Sequence, residues 1–248
     1  MSGHSHYATI KRQKETKDAA RGQLFSKLAR AVSVAVKTGG GANPDTNYKL
    51  RVAIDKAKVA NMPKGNIDKA ISKGSGRGTL EEVIYEGFGP GGIAVIVEVA
   101  TDNRNRSGQE IKNLFERGGG RLAGPGAVSF NFEAKGLLLV EKKKDKDEQM
   151  LTLIDLGVED MEEMEDGIEV YVESGRLSEI KSKLEKEGFK VTSSELAQKP
   201  KNYQIISDKN AASKILSFLN KLEEHDDVQK VFANFDIPED ILTKIDNE

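Results

Sequence analysis

The chain has 248 residues, 37% of them hydrophobic and 31% charged, which indicates a soluble protein with modest hydrophobic cores. It contains no cysteine, which excludes disulfides, thiolate nucleophiles and cysteine-ligated zinc, and no apolar run is long enough to cross a bilayer. Residues 1–80 hold 16 Lys or Arg against 5 Asp or Glu, whereas the remainder holds 22 against 35. The first third is therefore a basic module suited to polyanions, and the rest is acidic. Without cysteine or a secretory leader, a cytoplasmic location is expected.

The basic third is predicted to be helical. A first helix is ended by a run of three glycines, and a second has Thr46 or Asn47 as its N-cap and Asn61 as a left-handed stop. A short third helix starts at Pro63 and ends at Gly74. The predicted helices cover about residues 16–37, 47–60 and 63–74, and residues 74–78 form a flexible linker.

After the linker, predicted strands and helices alternate. Residues 92–101 are β-branched and continuous enough for a buried strand, and Ser107 with Glu110 forms a capping box that opens a helix. Residues 127–132 are predicted to be a strand with alternate apolar residues on one face. Further strands are predicted at about 137–141, 168–173, 190–194, 203–206 and 228–235, and helices at about 148–156, 177–188 and 211–224.

The predicted fold class is α+β. Residues 93–132 and 203–235 are each too small to close a sheet alone, so together they are expected to form one unit into which a second is inserted. Both units are predicted to be ferredoxin-like, with split β-α-β layouts. The predicted domains are a basic helical nucleic-acid-binding domain (1–78), a discontinuous α+β domain (79–134 and 201–248) and an inserted acidic α+β domain (135–200).

The first helix carries the main candidate binding surface. Lys14, Lys17 and Arg21 share the helical face that Leu24 and Leu28 continue further along the chain. Since an apolar seam cannot accept unpaired cations, these turns are predicted to project beyond the bundle and contact phosphates. The alternative is a solvated helix start with local acidic partners. The predicted nucleic-acid-binding residues are His4, His6, Lys11, Arg12, Lys14, Lys17, Arg21, Lys27, Arg30, Lys49 and Arg51.

Several of these candidates have alternative interpretations. His4 and His6 belong either to an arm that contacts phosphate or base edges, or to a disordered terminus. Arg51 also fits an ordinary surface pair with Asp55. The lysines of the third helix, Lys64, Lys69 and Lys73, are interpreted as solvated.

Outside the basic third, Arg104 and Arg106 lie at a strand-to-helix turn, where they could face an anion or another domain. Ordinary helix capping by Asp102 or Asn103 is the alternative. The acidic run at residues 159–166 could meet a basic protein partner or be a solvated turn. Because no catalytic or metal-binding motif is present, the sequence predicts no enzyme, metal or cofactor.

The chain resembles the YebC/PmpR family over nearly its whole length. The resemblance is carried by Gly3-His4-Ser5, Ile10-Lys11, Lys27 to Arg30, Leu50 to Ile54, Asn61 to Lys64 with Asn66-Ile67, Tyr85 to Gly87, Thr101 to Arg104, Gly126 to Phe130, and Asn234 to Pro238. It implies a three-domain protein with one α+β domain inserted in the other. It also implies a cytoplasmic DNA-binding transcriptional regulator, whereas mitochondrial relatives are described as translational activators.

Two nucleic-acid-binding functions remain open, beside a third class, a catalytic α+β protein with a pocket of perturbed acids in the C-terminal two thirds. The first is a regulator that binds duplex DNA through its basic helices, with the acidic domains facing a protein partner. The second is a translation factor that places the same surface on ribosomal RNA. The sequence shows no evident helix-turn-helix pattern, which counts against sequence-specific DNA readout. The family resemblance favours transcription, and neither function involves a membrane.

Overall fold

The computed structural model describes residues 18–76, 80–143, 145–164 and 166–246. The fold is α+β, as predicted: three N-terminal helices precede two four-stranded sheets that carry further helices. None of the helices in these ranges combines the length and apolar character needed to span a membrane.

The elements follow the predicted alternation with several differences, which are described below. The helices are α1 (Asp18–Thr38), α2 (Tyr48–Val59), α3 (Lys64–Ser75), α4 (Arg104–Arg117), α5 (Lys146–Asp155), α6 (Leu177–Lys186), α7 (Lys209–Glu224) and α8 (Glu239–Asp246). The strands are β1 (Glu81–Phe88), β2 (Ala94–Thr101), β3 (Arg121–Ala123), β4 (Phe132–Val140), β5 (Asp160–Glu163), β6 (Ile168–Glu173), β7 (Val191–Pro200), β8 (Gln204–Ile205), β9 (Val228–Ala233) and β10 (Phe235–Asp236).

The three-helix unit, α1 to α3, is fixed by local signals that the sequence displays. The Asn47 side chain caps α2 by accepting a hydrogen bond from the Leu50 amide at 3.0 Å. Asn61 ends that helix with a positive φ of 58°. Both predictions are confirmed. At Gly74 the third helix passes so close to α1 that a Cβ would lie 2.5 Å from the carbonyl oxygen of Ser33.

The first sheet has the strand order β3-β1-β2-β9, and all of its pairs are antiparallel. On one face β2 packs against α4 and α7, and on the other it meets Val128 and Phe132. Burial on both faces explains its nearly continuous apolar sequence. Strands β2 and β3 are parallel with β1 between them, which is a split β-α-β unit around α4.

Two predictions for this region are wrong. Strand β1 was not expected, and residues 127–132 are not a strand, because a short 3-10 helix occupies Ser129–Asn131 and β4 begins at Phe132. The capping box at Ser107 is also wrong. Helix α4 starts at Arg104, and its cap is Asn103, whose side chain accepts from the Arg106 amide at 3.1 Å.

The second sheet has the order β5-β6-β4-β7 and is antiparallel throughout. Its element sequence, β4-α5-β5-β6-α6-β7, is the ferredoxin-like arrangement that was expected. Strand β7 extends to Pro200, past the predicted end at residue 194. The core between sheet and helices includes Val52 of α2, so the three-helix unit packs against this sheet.

After the second sheet the chain returns to the first. Strand β8 pairs in parallel with β10, α7 covers the first sheet, and β9 joins that sheet beside β2. The first sheet is thus built from segments on both sides of residues 132–200.

Candidate nucleic-acid interface

Helix α3 carries three exposed lysines, Lys64, Lys69 and Lys73. It buries Ile67, Ala70 and Gly74 against the other N-terminal helices and leaves its remaining surface open. Lys58 in the last turn of α2 is also exposed. Of the lysines in the described part of the three-helix unit, the exposed ones with no hydrogen-bond or ion-pair partner are Lys58, Lys64, Lys69 and Lys73.

The turn before α3 fixes how that helix leaves α2. It has four residues, from Ala60 to Pro63, and Asn61 has a positive φ of 58° there. Met62 is buried, and its amide donates to the carbonyl of Ala57 at 2.9 Å. Two helices joined by a turn of this length are the elements of a helix-turn-helix pair, in which the start of the second helix contacts bases. Here that start, with Lys64 and Asn66, is exposed.

Most of the predicted cations of the first helix fall outside the described residues. Arg21 belongs to helix α1, but the structure does not describe its side chain. The binding role of these residues stays a prediction. The predicted residues beyond the described range are His4, His6, Lys11, Arg12, Lys14 and Lys17.

Two predicted cations of α1 contact the C-terminal part of the chain. The Lys27 ammonium donates to the carbonyl of Glu223, at the end of α7. The Arg30 guanidinium donates to the carbonyl of Asp226 at 2.9 Å and forms an ion pair with the Asp227 carboxylate. These contacts attach the three-helix unit to the loop between α7 and β9.

Asp227 is the centre of this junction, and its side chain is only 4% exposed. Its carboxylate also accepts from the Ser107 hydroxyl at 2.7 Å and from the Arg106 guanidinium at 2.8 Å. Burial alone would raise the pKa of Asp227, but the hydrogen bonds from Ser107, Arg106 and Arg30 outweigh it and lower the pKa to about 2. One carboxylate therefore joins α1 to α4.

The two arginines predicted to face an anion or another domain differ. Arg106 reaches the Asp227 junction and also pairs with Asp102 at 3.2 Å and with Glu110 at 3.8 Å. Arg104 is exposed, and its backbone carbonyl accepts a hydrogen bond from the Tyr85 hydroxyl at 3.1 Å.

The predicted cations of α2 face inward or toward neighbouring units. Lys49 lies 3.9 Å from the Glu82 carboxylate of β1. Arg51 donates to the carbonyl of Asp45 at 3.4 Å. The proposed pair between Arg51 and Asp55 is wrong, because Asp55 instead forms an ion pair with Lys181 of α6 at 3.2 Å.

A second junction connects all three units through Glu195 of β7. Its carboxylate pairs with Lys56 of α2 at 2.8 Å and with Lys230 of β9 at 3.1 Å. Burial would raise the pKa of Glu195, but the two ammonium groups hold it well below its ordinary value. Lys56 is therefore used in holding the fold together.

Beside the Asp227 junction is an open cavity of about 670 Å³ between α1, α4 and α7. Ligand atoms of Glu110, His225 and Asp227 lie within 4.8 Å of one another there, and His225 Nε2 is 3.0 Å from the Glu110 carboxylate. A cation at this point would compete with the guanidinium groups of Arg30 and Arg106, which already bind Asp227. The arrangement suits an ion-pair network better than a metal centre.

Comparison with known proteins agrees with this architecture. Residues 5–77 match the family model described as the TACO1/YebC protein N-terminal domain. Residues 80–235 match the model of the TACO1/YebC second and third domain. The chain belongs to the TACO1/YebC family.

Individual members of the TACO1/YebC family are similar over their full length. The chain is 46% identical to a protein of Dictyoglomus thermophilum over 250 residues, covering 99% of this chain and 100% of the relative. It is 47% identical to a protein of Aquifex aeolicus over 249 residues, with the same coverage. Both are named "Probable transcriptional regulatory protein". The crystal structure of a conserved hypothetical protein from Aquifex aeolicus has a TM-score of 0.83 and 46% identity, covering 91% of this chain and 94% of that one.

Sequence patterns account for the α3 lysines of this TACO1/YebC chain but not for the Asp227 junction. The lysines of α3 were interpreted as solvated, and the structure leaves them exposed. Asp227 gave no signal, because its partners Arg30 and Ser107 are 197 and 120 residues away in the chain.

Proposed function

We propose that this protein is a DNA-binding transcriptional regulator that contacts duplex phosphates through α3 and the basic segment preceding α1. The observation that carries the proposal is the set of exposed lysines Lys64, Lys69 and Lys73 on a helix that follows a short turn, together with the exposed Lys58 at the end of α2. The names of the TACO1/YebC relatives support regulation of transcription.

The partition of cations in the three-helix unit supports this surface. Lys27, Arg30 and Lys56 contact the rest of the protein and are at least partly shielded from an outside ligand. The α3 lysines form no ion pair within the described residues, although the exposed Asp68 lies on the same helix, so their ammonium groups are open to phosphates. Binding by such lysines releases counterions and is therefore strongly salt-dependent.

We further propose the three-domain division 1–78, 79–134 with 201–248, and 135–200. It is supported by the first sheet, which draws strands from both sides of residues 132–200, and by the separate core of the second sheet. The acidic domains are then free to contact a protein partner. We place this non-enzymatic function in the cytoplasm.

The test replaces Lys64, Lys69 and Lys73 together by Glu and measures binding to a blunt DNA duplex at several salt concentrations. A matched control replaces Lys186, Lys214 and Lys221 by Glu; these lysines are also exposed and change the net charge by the same amount, but they lie on α6 and α7. We expect the α3 variant to lose affinity and to depend less on salt. The slope of log K against log salt should become less steep by about 2–3, because each lost phosphate contact removes roughly 0.9. Equal effects of the two variants would contradict the assignment.

A second candidate is a ribosome-associated factor that binds ribosomal RNA through the same lysines, since phosphate contacts do not distinguish DNA from RNA. The observation that favours it is an exposed aromatic ring at Phe130, a feature that suits unpaired bases more than duplexes. Crosslinking in cells followed by sequencing of bound DNA and bound RNA separates the candidates. Enrichment of promoters supports transcription, and enrichment of ribosomal RNA supports translation.

A further inference from the structure

Phe130 is the most exposed aromatic side chain in the part of the chain that the structure describes, at 66%. It lies in the segment Gly126 to Phe130, which is not part of the proposed DNA surface. Its neighbours are fully used in packing: Val128 is 0% exposed and Phe132 is 5% exposed. The 3-10 turn at Ser129–Asn131 directs Phe130 away from the core that Val128 and Phe132 enter.

The loop that carries Phe130 is held in one conformation by a single buried carboxylate. Glu86 of β1 accepts hydrogen bonds from the amides of Gly126 at 2.8 Å, Val128 at 2.8 Å and Ser129 at 2.9 Å. Burial opposes ionisation, but these amide donors lower the pKa of Glu86, so the carboxylate is charged at neutral pH. An aromatic ring on a fixed loop loses little conformational entropy when a ligand stacks on it.

A cation accompanies the ring. The Lys201 ammonium donates to the backbone carbonyl of Phe130 at 3.0 Å, and the Lys201 amide donates to the carbonyl of Asn131 at 2.8 Å. Lys201 is exposed and forms no ion pair with any residue in the described ranges. It can therefore take a phosphate oxygen from outside the protein.

From this juxtaposition we propose that Phe130 and Lys201 form a site for an unpaired nucleotide, with the base stacked on the ring and the phosphate on the ammonium. The proposal rests on the proposed nucleic-acid function and adds a second contact, remote in sequence from α3. A base fits better than an apolar protein anchor, because Phe130 is flanked in the 3-10 turn by the polar residues Ser129 and Asn131, and the Lys201 ammonium binds its backbone carbonyl. Base edges need such hydrogen-bond partners, whereas an apolar anchor needs a continuous apolar patch.

The sequence allows a direct test, because the chain contains no tryptophan. Phe130→Trp introduces a single fluorophore at the proposed site. We expect its emission to be quenched on titration with single-stranded oligoadenylate, in RNA or DNA form. The matched control is Leu151→Trp on α5, a position of nearly equal exposure at 65%, which should not be quenched. Quenching with one strand type only would support the site and identify the strand; equal quenching of both variants would overturn it.

Affinity gives an independent readout. Phe130→Ala should weaken binding to the single strand roughly five- to fifty-fold and leave binding to a blunt duplex unchanged, while Phe130→Tyr should retain the wild-type affinity. Wild-type affinity of Phe130→Ala for the single strand would refute the site. The α3 lysine variant separates this proposal from the proposed function. If that variant binds duplex normally while Phe130→Ala loses the single strand, the duplex proposal fails and the stacking site stands.

Discussion

The substitution Asp227→Asn tests the junction that joins α1 to the first sheet. The Asp227 carboxylate accepts from Ser107 at 2.7 Å and from Arg106 at 2.8 Å, and it also pairs with Arg30. An asparagine keeps the size of the side chain and one oxygen acceptor, but it removes the negative charge that both guanidinium groups bind. We expect the protein to fold and to be less stable.

The structure sets the size of the effect. The pKa of Asp227 falls from 3.8 to about 2, which corresponds to about 2.4 kcal/mol of stabilisation of the charged form. Because Arg30 and Arg106 are 33% and 46% exposed, water can solvate them once the carboxylate is gone. The loss should therefore stay near about 2 kcal/mol, below the 3–5 kcal/mol typical of breaking a fully buried pair.

The pH dependence has a definite sign. A carboxylate whose pKa is lowered on folding contributes its full stabilisation above its unfolded pKa of 3.8, and loses it as the pH falls toward 2. Urea unfolding at pH 7 should show a loss of about 2 kcal/mol, and the melting temperature should fall by about 4–8 °C. The difference from wild type should shrink between pH 4 and pH 2.

The matched control is Asp226→Asn, since the adjacent Asp226 side chain is exposed and only its backbone carbonyl joins the junction. This control should change stability by less than about 0.5 kcal/mol. If both variants behaved alike at pH 7, or if the effect of Asp227→Asn persisted unchanged at pH 2, the reasoning from the ionised junction would be refuted.

Two further predictions concern the three-helix unit. Gly74→Ala should destabilise it by about 1–3 kcal/mol, because the added Cβ would lie 2.5 Å from the Ser33 carbonyl oxygen. On the same helix, Gly65→Ala meets nothing within 4 Å and should instead stabilise by about 0.5–1 kcal/mol; urea unfolding that gave both changes the same sign would contradict the packing. Asn47→Ala removes hydrogen bonds to the Ala35 and Gly41 carbonyls at 2.8 and 2.7 Å as well as the cap on Leu50. It should cost about 2–4 kcal/mol by thermal unfolding, and a loss below about 1 kcal/mol would show that these buried bonds are replaced by water.

The helices of the basic third were predictable because their ends depend on residues close in sequence. Asn47 accepts from an amide three residues ahead, and Asn61 ends its helix through its own backbone conformation. Asn103, which caps α4, is the same kind of local signal. Such contacts need no knowledge of the rest of the chain.

The prediction failed where a distant residue decides the local conformation. The alternation of Val128, Phe130 and Phe132 is typical of a strand, but Glu86 binds the loop amides from 40 or more residues away. With the amides of Val128 and Ser129 occupied by a carboxylate, this segment cannot form a strand ladder there. Phe130 is turned outward as a result, and its exposure could not be read from the pattern.

At the candidate nucleic-acid interface, the charge pattern of the sequence was likewise not enough to predict which cations are open to a ligand. Counting cations identified the basic third correctly, but it could not separate Arg30, whose partner is 197 residues away, from Lys69, which has none in the described residues. Only the tertiary structure distinguishes a cation that holds two units together from one that is open to a ligand.

This distinction has a consequence for how salt acts on the protein. The Asp227 carboxylate is 4% exposed, and such shielded pairs are screened far less than the exposed lysines of α3. Moderate salt should therefore weaken phosphate contacts while the junction between α1 and the first sheet stays closed. The salt dependence of nucleic-acid binding then reports the number of phosphate contacts, because the units do not rearrange over the salt range. The α3 lysines and the Phe130 site can therefore be compared while the protein keeps the same structure.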